Sequence, residues 1–178
     1  GSEMCIRDSY KKYMVYPSAV PNAVHIALAR LEKEGKIKAV LTQNIDGLHQ
    51  AAGSKNVYEL HGSVHRNYCT RCGKFYDLDY ILGAKGVPTC ECGGVIKPDV
   101  VLYEEPLDDD VWQGAWEEVR RADTLIVGGS SLTVYPAAGL VDMFYGKNLC
   151  IINATPTPFD RRATYLSHES LTREFENL

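Results

Sequence analysis

Residues 37–62, IKAVLTQNIDGLHQAAGSKNVYELHG, hold two short apolar runs, each leading into a polar cluster. IKAVLTQN reads as a buried strand ending at Gln43 and Asn44. DGLHQAAG reads as one or two helical turns closed by Gly53, and NVYELHG as a second strand. Strand, helical turn and strand in so short a span are the unit of a parallel sheet. The polar group Gln43, Asn44 and Asp46, followed by His61-Gly62, leaves two readings. It is a solvated loop between core elements, or it is the wall of a site.

The alternation extends both ways. Upstream, PNAVHIALARLEKEGKI spaces Val24, Ala27, Leu28 and Leu31 as one helix face, with Pro21 suited to the first turn and Gly35 to the end. His25 lies on that stripe and reads as a packing histidine. Downstream, VVLYEE reads as a strand and LDDDVWQGAWEEVRRA as an amphipathic helix, acidic at its start and basic at its end as the helix dipole favours. TLIVGGSS reads as a strand running into a turn, YPAAGLVDMFYG as a helix, NLCIINA as a strand and LTREFEN as a terminal helix. The fold class is α/β: a Rossmann-like, mostly parallel sheet with helices on both faces. Residues 65–97 break the pattern and read as a small inserted module between 10–64 and 98–178. Residues 1–9, GSEMCIRDS, fit no period and read as tag or foreign sequence.

The totals set bounds. The chain has 178 residues, enough for a substantial core, and a net charge of −4, which argues against a nucleic-acid partner. No apolar run approaches the roughly 18 residues of a membrane span, and no secretory pattern is present. The expectation is a cytoplasmic protein with no membrane partner.

Four of the six cysteines cluster. Cys69-x-x-Cys72 is followed by 17 residues and then Cys90-x-Cys92, with Gly73, Gly93 and Gly94 beside the thiols. Two short-spaced pairs of this kind can converge on a tetrahedral thiolate site, and Zn²⁺ is the usual occupant. Four thiolates leave no open position, so such a zinc is structural, the module a zinc ribbon. A redox pair or unrelated thiols is the competing reading. Cys150, within NLCIINA, reads as a packed thiol.

Two further stretches carry weaker signals. LIVGGSSLTVYPAA ends a strand in Gly128-Gly129-Ser130-Ser131, a way to present backbone N–H groups and hydroxyls to a phosphate or ribose. Many α/β proteins have such a turn without that role. Asn153 stands at the carboxyl end of a strand, where ligands of open parallel sheets bind, or simply forms a turn.

Taken in order, TQNIDGLH, ELHG, the four cysteines, KPDVVLYEE, GSSLTVYPAA and INATPTPFD resemble the sirtuin family of NAD-dependent protein-lysine deacylases. The likeness runs from about Pro21 to Arg162. In that family the substrate's acyl oxygen attacks the nicotinamide-bearing ribose carbon of NAD, nicotinamide leaves, and a histidine acts as base on the ribose hydroxyls. The products are free lysine and O-acyl-ADP-ribose. The resemblance implies that His61 is this base, with Gln43 and Asn44 on the ribose and an ordered water, and Ile45 and Asp46 lining the nicotinamide pocket. It implies that Gly129, Ser130 and Ser131 meet phosphate and ribose, that Asn153 binds the adenosine ribose and that Ser170 lies at the adenine. Val100, Val101, Leu102 and Tyr103 resemble the segment that pairs with an extended acyl-lysine protein or peptide substrate, with Val101 facing the acyl-lysine tunnel. Glu104 stands where many members carry Gly. No GAGxS-type Gly-rich loop occurs. The resemblance therefore implies the C-terminal part of a catalytic core, its sheet lacking the first central strand. Two other functions stay open at this level: a non-catalytic zinc-ribbon peptide-binding fragment, and an NAD-dependent protein ADP-ribosyltransferase using the same pocket.

Overall fold

The structure is a computed structural model that describes residues 14–102 and 104–176. The tag reading of residues 1–9 and the placement of Tyr103 lie outside the described residues.

The first helix, α1 (Ala23–Lys33), starts two residues beyond Pro21, because Asn22 is its N-cap: the Asn22 side chain accepts from the amides of Val24 and His25. His25 answers by placing Nδ1 3.2 Å from the Asn22 backbone N, so the histidine on the apolar stripe is a capping and packing group. β1 (Val40–Thr42), α2 (Leu48–Ala52) and β2 (Val57–Glu59) follow, with β1 and β2 parallel.

The chain then leaves the parallel pattern. β3 (Gly62–Cys69) pairs antiparallel with β4 (Phe75–Tyr76) on one side and β5 (Ile96–Val100) on the other, and α3 (Leu78–Gly83) packs beside them. The strand expected over VVLYEE ends at Val100. Beyond it Glu105 turns back on Leu102, its amide donating to the Leu102 carbonyl at 3.0 Å. Glu105 also accepts the Leu102 N–H through Oε2 at 3.0 Å. Glu104 takes φ +68 in this turn.

α4 (Asp109–Arg121) is capped by Asp108, whose Oδ1 accepts from the Val111 amide at 3.0 Å. It lies against β2 at Gly114, where a Cβ would stand 2.4 Å from the Tyr58 ring. β6 (Thr124–Gly128), β7 (Asn148–Ile152) and β8 (Tyr165–Ser167) form a second parallel sheet in the order β6-β7-β8, and α5 (Leu171–Phe175) closes the described chain.

The helix expected over YPAAGLVDMFYG is instead a 3₁₀ turn at Ala137–Leu140 followed by further turns. Ala137, Ala138, Leu140, Val141 and Phe144 are buried in the main core there. Packing against that core, rather than a helical stripe, fixes this segment. β8 was legible in no apolar run; it forms by pairing Tyr165–Ser167 with Cys150–Ile152.

The parallel strands make two pieces, β1-β2 and β6-β7-β8, with no ladder joining them among the described residues. Side chains bridge the gap. Leu41 and Tyr58 from one piece and Leu125, Val127, Leu149 and Ile151 from the other pack into one cluster with Ala115 and Val119 of α4. No described helix is long and apolar enough to cross a membrane.

Candidate functional site

Within a parallel sheet the carboxyl ends of all strands emerge on one side. At the end of β1 the Thr42 hydroxyl accepts the Asn44 amide at 3.0 Å and turns the chain into Gln43–Asp46. That loop is laced to the segment after β2 residue by residue. The Leu60 amide donates to the Thr42 carbonyl at 2.9 Å and the Val64 amide to the Ile45 carbonyl at 3.0 Å. His61 Nδ1 lies 3.2 Å from the Gln43 carbonyl, and His65 Nε2 3.0 Å from the Asp46 carbonyl. The polar cluster is therefore an ordered wall, not a free loop. Asp46, just before the Gly47 N-cap of α2, accepts the Leu48 amide at 3.0 Å. Asn44 is exposed, while Gln43, Ile45, Asp46 and His61 are half-buried.

Gly62, next to His61, has φ +76, and a Cβ there would stand 1.9 Å from the Asp99 carbonyl oxygen. Only glycine fits. Behind it, Arg66 bridges Glu59 of β2 at 2.5 Å and Asp99 of β5 at 2.8 Å. Glu59 is buried, so this pair clamps the three strands that carry His61. Nothing in the residue pattern signalled it, since partners so far apart share no local periodicity.

Val100 is buried in β5 opposite Gly62, and the Val101 amide donates to the His61 carbonyl at 3.1 Å. Val101 is half-buried and Leu102 exposed, so the strip beside His61 faces outward as it leaves the sheet.

The second group sits on the other sheet. Gly129, at φ +61, donates its amide to the Ile152 carbonyl at 3.0 Å, tying the β6 turn to the end of β7. Ser130 Oγ accepts the Leu132 amide at 3.3 Å, and the Ser131 hydroxyl meets that of Thr133 at 2.7 Å. Asn153 donates through Nδ2 to the Thr155 carbonyl at 2.8 Å. Ser170 is the N-cap of α5, accepting the Arg173 amide at 3.2 Å. His168, unremarked in the sequence, lies 2.8 Å from the Asn153 carbonyl through Nδ1 and 3.7 Å from Asp160 through Nε2.

Near Asp46 two histidine rings meet at a 55° tilt. The rings of His25 and His49 are 4.6 Å apart, both buried, and His49 Nδ1 is buried without a hydrogen-bond partner. Burial holds both below the usual histidine range. For His49 the neighbouring His25 pushes further down, while Asp46 and Glu59 pull part of the way back.

The four module cysteines are free thiols whose sulfurs all lie within 4.8 Å of one another. Three of the separations are 3.4 Å (Cys69–Cys92), 3.6 Å (Cys72–Cys90) and 3.5 Å (Cys72–Cys92). Four sulfurs about 2.3 Å from a central zinc would be spaced about 3.8 Å apart, so the set fits a tetrahedral ion and is far from disulfide contact. The Tyr76 hydroxyl and then the Cys92 amide draw the Cys90 thiol down to about 6, toward the thiolate a metal requires.

A Sir2 family model matches residues 5–136. A Clostridium perfringens protein named NAD-dependent protein deacetylase is 60% identical over 164 residues, covering 91% of this chain and 67% of the relative. A solved Sir2 in complex with the inhibitor EX-527, 2′-O-acetyl-ADP-ribose and deacetylated p53 peptide superposes with a TM-score of 0.92 at 41% identity, covering 99% of this chain and 78% of that one. A Sir2–p53 peptide–NAD⁺ structure gives 0.89 at 42% identity, covering 99% and 76%.

Proposed function

The chain belongs to the Sir2 family, and from that premise we propose that it is an NAD-dependent protein deacetylase acting on acyl-lysine side chains of protein or peptide substrates. The relative named as a deacetylase and the neighbours solved with NAD⁺, peptide and acetyl-ADP-ribose support this reading. NAD, when bound, supplies an electrophilic ribose carbon and nicotinamide as leaving group.

The observation that carries the assignment of roles is the contact of His61 Nδ1 with the Gln43 carbonyl. A carbonyl only accepts, so Nδ1 presents an N–H to Gln43, and Nε2 is the nitrogen left to take a proton from the ribose hydroxyls. The backbone thus aims the imidazole as a general base must be aimed. Gln43 and Asn44 hold the ribose side of the site and its water, and Ile45 and Asp46 line the nicotinamide pocket. Gly129, Ser130 and Ser131 offer amide and hydroxyl groups to phosphate and ribose. Asn153 serves the adenosine ribose, and Ser170 the adenine. Val100, Val101 and Leu102 border the acyl-lysine path beside His61.

The four cysteines would hold Zn²⁺ as a structural ion, making residues 65–97 a zinc-binding module set into a nucleotide-binding domain of residues 10–64 and 98–178. A cytoplasmic setting suits thiols that must stay reduced.

The test incubates the zinc-loaded chain with an acetylated peptide and NAD and measures nicotinamide together with acetyl-ADP-ribose. Formation of both in equal amounts is expected. Nicotinamide release without an acetylated product would overturn the reading.

A further inference from the structure

The second cysteine pair is unusual in having a single residue between its thiols, against two in the first. Its sulfurs are held differently. Cys69 Sγ accepts the Arg71 amide at 3.4 Å, the local bond of a short loop around a metal. Cys90 Sγ accepts from the Tyr76 hydroxyl at 3.1 Å, a bond that crosses from β4 to the other cysteine arm. Among the described residues, Cys90 is the one of the four that a hydroxyl reaches.

Tyr76 is fixed for this task. It is buried at 8% exposure in the module's core, beside Val64, Ile81 and Ile96. Its strand is registered on β3 by the pairing of Tyr76 with fully buried Asn67. Its ring meets that of Tyr80 at 4.5 Å and a 43° tilt, and the Tyr80 hydroxyl donates to the Thr89 carbonyl at 3.0 Å. Two tyrosines four residues apart thus grip two consecutive residues, one by its carbonyl and the next by its sulfur. A buried hydroxyl needs an acceptor, and sulfur is a poor one unless it carries charge.

We propose that Tyr76 is a positioning residue of the metal centre: its hydroxyl orients Cys90 Sγ and offsets part of the thiolate charge, holding the metal at the short Cys90–Cys92 arm. The inference rests on reading the four cysteines as a metal site, and is independent of the deacetylase activity. Partners behind a ligand commonly change metal affinity about 10- to 100-fold when removed. Tyr76→Phe keeps the ring and its packing and deletes only the donor.

The experiment compares the intact chain with Tyr76→Phe and Tyr80→Phe. Zinc transfer to a chromophoric chelator is followed, and the chain is then loaded with cobalt for its sulfur-to-metal charge-transfer band. Expected for Tyr76→Phe is a loss of zinc affinity of about tenfold or more, with the band moved to lower energy because the sulfur lone pair is no longer hydrogen-bonded. Tyr80→Phe, whose hydroxyl bonds a carbonyl, leaves the band in place. Should Tyr76→Phe not fold, fluorotyrosine at position 76 keeps the ring, strengthens the donor and moves the band to higher energy. An affinity within about twofold and an unmoved band in Tyr76→Phe, or an unmoved band with fluorotyrosine, overturns the proposal. Failure of the unaltered chain to bind one metal per molecule overturns it at its premise, and that result is visible before any variant is made.

Discussion

His61 Nδ1 stands 3.2 Å from the carbonyl oxygen of Gln43, so one polar residue of the β1 loop sets the tautomer of the histidine that follows β2. The imidazole is aimed by main chain, which no side-chain replacement at Gln43 removes. His61→Ala is expected to lower deacetylation by about 10²- to 10⁴-fold with the unfolding midpoint nearly unchanged. Steady-state rates with an acetylated peptide, paired with thermal melts, check both halves. Gln43→Ala leaves the carbonyl in place and, on the proposed ribose role of the side chain, is expected to raise the KM for NAD more than it lowers kcat.

Gly62→Ala brings a Cβ against the Asp99 carbonyl at a left-handed backbone angle. A loss of about 2–4 kcal/mol is expected. Gly53→Ala, also left-handed but facing open space, loses only about 1 kcal/mol. Urea unfolding of the two variants measures the contrast, and equal losses would refute the steric account.

Arg66→Met leaves the Glu59 carboxylate buried without its cation. Breaking a fully buried pair costs about 3–5 kcal/mol. Arg66 is itself partly solvent-reached, so about 2 kcal/mol is expected here. Denaturant unfolding reads it. Restoring neutrality with Glu59→Gln in the same chain recovers part of the loss.

Stability should fall on acidification through His25 and His49. Both are held below their unfolded value of 6.5, so the unfolded chain binds more protons as pH drops. Their contribution is complete above about pH 7 and is lost as pH falls from there through their lowered native values. Melting temperatures across that window test this. The double variant His25→Gln, His49→Gln flattens the slope, whereas an unchanged slope assigns it to other groups.

Legibility in the sequence followed how local each cause is. α1, α4, β6 and β7 announce themselves through caps, charges at helix ends and apolar runs, all decided within a few residues. The cysteine spacing announced the sulfur cluster for the same reason. YPAAGLVDMFYG misled because its buried residues answer to the core around Phe144 rather than to a helical period. β8 was silent because a three-residue edge strand with exposed Tyr165 and Leu166 needs only a neighbour to pair with. At the site, residue types were readable but their partners were not. The acceptor for His61 is a backbone carbonyl, and the bridge from Glu59 through Arg66 to Asp99 spans segments that meet only on folding.

The two parallel sheets are glued by side chains and, among the described residues, share no backbone ladder. Such a seam is a plane of slip, because dispersion contacts tolerate small sliding that a hydrogen-bonded ladder resists. The Gln43–Asp46 wall rides on one plate and the Gly129–Ser131 turn on the other. A dinucleotide reaching both would act as a rivet, and its binding energy would appear as stiffness across the seam as well as occupancy of the site.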